Sequence, residues 1–296
     1  MKSDNKITES SNIRSVDIDK KSIAEMLNIF NSEDLIAVKA IESCLDDINQ
    51  IIQLTTSCLK NNGRLFYVGA GTSGRLGVLD AAECKPTFSV EDELVQGIIA
   101  GGEEAMFKSI ENAEDEVDEV PRIIKDREIK STDMVIGISC SGAAPFVLKF
   151  LNKSKKIGAT TALITFNNVK KRDYIDKLLK VFVGPEIISG STRMKSGTAT
   201  KMILNMISTI TMIKLNKTYG NFMVDLKIMN KKLLNRGIHI IQSINNITKD
   251  DAKLLLKKSR GKVKNAIIIQ KLGVSYEKSE NLLKKYNGSL REILKK

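Results

Sequence analysis

The chain has no tryptophan, a single histidine (His239), four cysteines and four prolines. Its most apolar long stretch, Met202 to Leu215, is interrupted by Asn205 and several hydroxyls. A spanning helix needs about 20 apolar residues, so membrane insertion is not expected. The N-terminus is polar and has no apolar h-region, which argues against a secretory signal. Cys44, Cys58, Cys84 and Cys140 form no C-x-x-C pair, so neither a thiolate metal site nor a disulfide framework is supported. A cytoplasmic, metal-free chain is the expectation. A nucleophilic role for Cys84 or Cys140 stays open beside the more ordinary one of buried, inert thiols. A serine triad would have to recruit His239, whose Ile-rich helical context favours a structural role. With 19 glycines and four prolines in 296 residues, low-complexity and collagen-like classes are excluded.

Acidic residues are also in deficit, 35 against 47 Lys and Arg, a formal charge of +12. Such an excess invites nucleic acid or a membrane surface as partner. It is unevenly placed. Residues 201–296 hold 21 basic and 6 acidic side chains, whereas residues 1–200 hold 26 and 29. Lysines such as Lys257-Lys258 and Lys284-Lys285 occupy polar positions of amphipathic helices, so a solvated face accounts for them. No nucleic-acid or membrane partner is expected.

What is present is a well-patterned globular chain, 42% hydrophobic. Residues 17–60 read as helices, with Ser32 as an N-cap and Leu35, Val38, Ile41, Leu45, Ile48 and Ile52 at helical spacing. Short apolar runs follow at 65–68, 94–100, 134–139, 162–166 and 181–184. Between them lie a helical segment at 76–84 and amphipathic stretches at 103–113, 145–155 and 172–180. Strands alternating with helices predict an α/β domain with a mainly parallel sheet. From Lys195 the pattern is helical: two long helices at 195–216 and 222–243, then three short ones at 250–259, 262–272 and 275–286. Thr248-Lys-Asp-Asp251 resembles a capping box at the start of the first short helix. The expected organisation is an N-terminal helical segment (1–50), the sheet domain (51–216), a connecting helix (217–247) and a small helical domain (248–296).

The first strand runs into Gly69-Ala-Gly-Thr-Ser-Gly74, a literal G-x-G-x-x-G. A dinucleotide site would also need an acid about 20 residues on, at the end of the second strand. Glu91, Asp92 and Glu93 precede that strand instead. Short hydroxyls recur after strands: Thr72 and Ser73, then Ser139 and Ser141 with Gly142, then Ser189, Ser191 and Thr192. Helix-terminal amides with several hydroxyls can hold a phosphomonoester dianion. One such loop is ordinary turn chemistry; three point to phosphate.

The segments Gly69-Ala-Gly-Thr-Ser-Gly-Arg-Leu-Gly-Val-Leu-Asp-Ala-Ala-Glu-Cys84 and Gly190-Ser-Thr-Arg-Met-Lys-Ser-Gly-Thr-Ala199 resemble signatures of N-acetylmuramic acid 6-phosphate etherases. These form a SIS-domain (sugar isomerase) family. Val183-Gly-Pro-Glu186, Lys201-Met-Ile-Leu-Asn205, Tyr219-Gly-Asn-Phe-Met-Val-Asp225 and Asn287-Gly-Ser-Leu-Arg-Glu292 extend the match. It covers nearly all of the chain from about residue 7 onward.

The resemblance implies an α/β, doubly wound, mainly parallel SIS sheet flanked by helices, with a small C-terminal three-helix, UBA-like domain. It implies a cofactor-independent carbon–oxygen lyase, acting on a phosphorylated amino sugar in cell-wall sugar recycling, and a homodimer. The catalytic glutamates fall on Glu83, as general acid, and on Glu114, as base. Substrate contacts fall on Gly71, Thr72, Ser73, Arg75, Ser139, Ser141, Gly142, Ser191, Thr192, Arg193 and Lys195. The second loop departs from the family pattern: Ala143-Ala144-Pro145-Phe146 stands where Arg-Thr-Pro-Tyr is usual. Lys85 replaces a proline and Cys140 an alanine. Two rival readings remain, a non-catalytic sugar-phosphate sensor resembling glucokinase regulatory protein and a nucleic-acid-binding SIS regulator. Residues 1–60 carry no basic recognition helix for the second.

Overall fold

The computed structural model describes residues 6–226, 228 and 230–295. Residues 1–5, inspected above for a signal segment, and residues 227, 229 and 296 lie outside that range. The chain divides into two compact units. One takes in the described residues up to Ala82 together with Asp92–Ser208, the other Glu83–Glu91 and Thr209 onward.

In the first unit, helices α1 (Ile23–Glu42) and α2 (Leu45–Lys60) precede a βα alternation. This comprises β1 (Leu65–Gly69), α3 (Gly71–Phe88), β2 (Val95–Ile99), α4 (Val120–Asp126), β3 (Met134–Ile138), α5 (Pro145–Ile157), β4 (Thr160–Thr165), β5 (Lys177–Lys180) and α6 (Lys195–Lys214), the ends of α3 and α6, from Glu83 and Thr209 on, falling in the second unit. All four strand pairings are parallel, in the order β2-β1-β3-β4-β5. The first four apolar runs therefore make strands of a parallel sheet, as their pattern predicts. Strands β1 and β3 are buried at every position, because helices cover both faces of such a sheet. Helix α5 packs Phe146, Val147, Phe150 and Leu151 into the core, with Pro145 in its first turn and Gly158 closing it at φ 100°.

The structure corrects four local expectations. Ser32 is not an N-cap: α1 begins at Ile23 behind a Ser22–Glu25 capping box, and the Ser32 hydroxyl donates to the Asn28 carbonyl within the helix at 2.8 Å. The stretch 103–113 holds only 3-10 turns, Glu103–Met106 and Ala113–Asp115. Gly102 and Asn112 there adopt φ of 70° and 59°, which an α-helix does not accept. The last strand is Lys177–Lys180, four residues before the apolar run at 181–184. Leu178 and Leu179 pair with Leu163 and Ile164, and lysines at both ends of the strand suit a sheet edge. Val181 and Val183 are buried without joining the strand.

The second unit holds α7 (Lys231–Asn245), α8 (Lys249–Lys258), α9 (Val263–Leu272), α10 (Tyr276–Lys285) and α11 (Leu290–Leu294). Its core is built from Val224, Leu226, Ile238, Ile241, Leu255, Leu256, Ile267 and Ile293, among others. The capping signal holds: Thr248 Oγ1 accepts from Asp251 N and donates to its carboxylate. The fourth correction is α7, which starts at Lys231, not 222. Asn230 caps it at Leu233 N, and upstream Tyr219 and Phe222 exchange backbone hydrogen bonds of 3.1 Å. His239 is exposed on α7. No helix among the described residues is long and apolar enough to cross a membrane.

Candidate active site

In a parallel sheet of this order, the loops leaving β1 and β3 run to opposite faces and open a crevice beyond the strand ends. A cavity of about 530 Å³ lies there. The first loop is shaped by close packing. A Cβ on Gly74 would come within 2.6 Å of Ile99 Cγ1, and one on Gly69 within 2.6 Å of Gly74 N. Only glycines allow the first turn of α3 to sit so near β1 and β2. Gly71, Thr72, Ser73 and Arg75 line the cavity, beside the first-turn amides that no α-helix satisfies internally.

The second loop contributes Ser139 and Ser141. Ser139 Oγ accepts from Ala144 N at 3.3 Å and Ser141 Oγ from Ala143 N at 3.2 Å. Each hydroxyl accepts from the backbone, and the two oxygens stand 3.4 Å apart, so one proton passes between them and the other is left to donate to an anion. Gly142, at φ 68°, shapes the turn and is absent from the lining. Cys140 reaches the cavity, but burial pushes its thiol above the usual range, which suits the inert reading.

From the third loop, Gly190 and Thr192 line the cavity. Ser191 is half-buried and Arg193 exposed, and neither joins them. The N-terminus of α6 is already occupied. The buried Glu186 carboxylate accepts from Lys195 N at 2.9 Å, Ser196 N at 3.0 Å and Ser196 Oγ at 2.7 Å. Lys195 turns inward, its Nζ 2.5 Å from Glu33 Oε2 and 2.9 Å from the Pro185 carbonyl. It does not line the cavity, because a buried carboxylate has claimed its charge. Arg75 lines the cavity yet spends its guanidinium on backbone, with Nε to the Met106 carbonyl at 3.2 Å and Nη2 to that of Lys108 at 2.7 Å. It thereby anchors the segment that carries Ser109, Glu111, Asn112 and Glu114 to the cavity.

Glu114 stands in that wall, exposed on the turn Ala113–Asp115. Glu83 is exposed on α3, in the second unit, and is not among the lining residues. Sequence reasoning missed Lys6, Thr8 and Glu9, which also line the cavity. Their local pattern is unremarkable, and only the start of the family match near residue 7 touches them. Among the described residues no group of three His, Cys, Asp or Glu is arranged to hold a metal ion.

Comparison with known proteins supplies the family. The chain is 45% identical over 289 residues to N-acetylmuramic acid 6-phosphate etherase of Clostridium acetobutylicum, covering 97% of this chain and 96% of that one. It is 44% identical to the protein of that name from Microcystis aeruginosa, covering 97% and 94%. The chain belongs to the N-acetylmuramic acid 6-phosphate etherase family. Within it, residues 47–155 match the model of the glucokinase regulatory protein N-terminal SIS domain, and residues 220–286 that of its C-terminal lid domain. The etherase match spans both segments at nearly full length, which favours it over the regulator as the guide to function. A phosphoheptose isomerase from Neisseria gonorrhoeae is a structural neighbour at 17% identity and TM-score 0.49, covering 64% of this etherase-family chain and 98% of its own.

Proposed function

We propose that this chain is a lyase that cleaves the D-lactyl ether of N-acetylmuramic acid 6-phosphate. The products are N-acetylglucosamine 6-phosphate and D-lactate, and the step belongs to cell-wall sugar recycling. The carrying observation is a cavity that joins Ser and Thr loops suited to a phosphate with Glu114, in a chain 45% identical to an etherase along its length.

The open-chain sugar has a C2 proton made acidic by the C1 aldehyde. A base removes it, the C3–O bond breaks, and lactate leaves as an acid protonates its ether oxygen. Water then adds across the C2–C3 alkene, oxygen to C3 and proton to C2. Two carboxylates in different settings serve such steps. We assign the base to Glu114 and the acid to Glu83. Gly71, Thr72, Ser73, Ser139, Ser141 and Thr192 hold the phosphosugar. Gly142 and Arg75 act by shaping and anchoring the walls, and Ser191 and Arg193 are assigned supporting roles at the third loop. Lys195, buried against Glu33, keeps only a structural part.

A phosphorylated sugar is charged and retained within the cell, which supports a cytoplasmic enzyme. The family resemblance supports a homodimer; light scattering on the purified chain tests it. The function is tested by incubating the protein with N-acetylmuramic acid 6-phosphate and assaying D-lactate. Release by wild type and not by Glu114→Gln is the expected result. Sugar-phosphate binding without lactate release would favour the sensor reading instead.

A further inference from the structure

The N-terminal strap, residues 6–15, is laced to the loops that make the cavity. Thr8 Oγ1 accepts from Asn167 Nδ2 at 2.9 Å, and Gly190 N donates to the Thr8 carbonyl at 3.0 Å. The same Asn167 amide reaches the Cys140 carbonyl at 2.9 Å, so one side chain ties the strap to the second loop while Gly190 ties it to the third. Further along, Ser15 Oγ donates to the Ile187 carbonyl at 2.6 Å and Asn12 Nδ2 to that of Pro185 at 3.4 Å. Lys6, Thr8 and Glu9 face the cavity as a result. A Cβ on Gly190 would lie 3.0 Å from Glu9 Oε2, which places that carboxylate directly over the third loop.

Charge decides what the strap does. The cavity is lined by three carboxylates, Glu9, Glu111 and Glu114, and by two cations, Lys6 and Arg75. Arg75 is held by two backbone carbonyls. Lys195 is neutralised by Glu33 outside the lining, and Arg193 is absent from it. A substrate carrying a phosphate and a carboxylate would meet a net negative wall unless another cation acts. Among the described residues, Lys6 has no carboxylate partner.

We propose that the strap is a substrate-recognition wall of this site, and that the Lys6 ammonium pairs with an anionic group of the bound phosphosugar. This rests on the reading of the cavity as the phosphosugar site. The anionic group is either the phosphate or the lactyl carboxylate, and the two separate by experiment.

The test compares wild type, Lys6→Ala and Lys6→Arg for D-lactate release. Calorimetry on the same proteins measures binding of N-acetylmuramic acid 6-phosphate and of N-acetylglucosamine 6-phosphate, which lacks the carboxylate. Lys6→Ala should raise KM about tenfold with kcat within about twofold, and Lys6→Arg should recover most of the loss. Weaker binding of both sugars assigns Lys6 to the phosphate; weaker binding of the muramic sugar alone assigns it to the carboxylate. Unchanged KM and unchanged affinities in Lys6→Ala overturn the proposal. If wild type releases no lactate, the etherase reading fails, and calorimetry still decides the strap. An affinity lost in Lys6→Ala upholds it, equal affinity overturns it, and no binding by wild type overturns both.

Discussion

Lys195 Nζ lies 2.5 Å from Glu33 Oε2, and the two side chains are 1% and 0% exposed. Arg14 Nε reaches the other Glu33 oxygen, also at 2.5 Å. Lys195, placed by the family pattern among the substrate contacts, is thus half of a buried ion pair. Lys195→Met leaves Glu33 buried with only the half-exposed Arg14 as counter-charge. We expect a loss of about 3–5 kcal/mol in urea unfolding. Unchanged stability with lost substrate affinity would return Lys195 to the substrate.

The same pair sets an acid limit. Burial pushes the Glu33 carboxyl up, but Lys195, Asn12 and Arg14 together hold it below its ordinary 4.5. A depressed carboxylate contributes stability that is full above the unfolded value and is lost as pH falls through the lower folded value. Acid titration of the urea midpoint should therefore show a falling limb below about pH 4.5 that Glu33→Gln flattens.

Asp80 has the opposite sign. Burial raises its carboxyl above 3.8 even though Asn205, Ser208 and Tyr67 hydrogen-bond to it; the Asn205 and Ser208 bonds are 2.6 and 3.1 Å. It ties α3 to α6 and β1. A raised carboxyl binds more protons folded than unfolded, so this site loses stability as pH rises from 3.8 through its folded value. Asp80→Asn keeps an acceptor and should remove that slope relative to wild type. Asp80→Ala removes the acceptor that Asn205, Ser208 and Tyr67 share and should cost about 1–3 kcal/mol at every pH.

Gly142→Ala should abolish phosphosugar binding with the fold retained. The residue sits at φ 68°, and its Cβ would fall 2.7 Å from both Thr165 Oγ1 and Val169 Cγ1. The second loop must shift, carrying Ser139 and Ser141 with it. Calorimetry beside an unchanged circular-dichroism spectrum checks this, and wild-type affinity would refute it.

Glu114→Gln should block exchange of the C2 proton with solvent deuterium as well as lactate release. Glu83→Gln should block lactate release while leaving phosphosugar binding largely intact. Rate losses of about a hundredfold or more are expected for each. Near-wild-type turnover in either variant would refute its assignment.

Much of this was legible in the chain itself. Four of the five apolar runs, bounded by Gly, Ser and charged residues, gave strands, since burial on both faces demands uninterrupted apolar side chains. Thr248 declared a helix start because its cap partner is three residues away. The Gly69–Cys84 and Gly190–Ala199 motifs carried the family. Local pattern misled where turn geometry intervened, as at Asn112, or where sheet register chose Leu178 and Leu179 over Val181 and Val183.

Sequence alone therefore determined the α/β class and, through its motifs, the family. Tertiary structure decided the fate of the cations: Lys195 inward to Glu33, Arg75 onto backbone carbonyls, Lys6 at the cavity. It also brought Thr8 to Asn167, 159 residues away. Periodicity reports how deeply a residue's own side is buried, because neighbours on one helix or strand share a surface. It carries no record of which distant carboxylate or carbonyl will meet a given charge. Sheet order and chain crossovers fix that pairing.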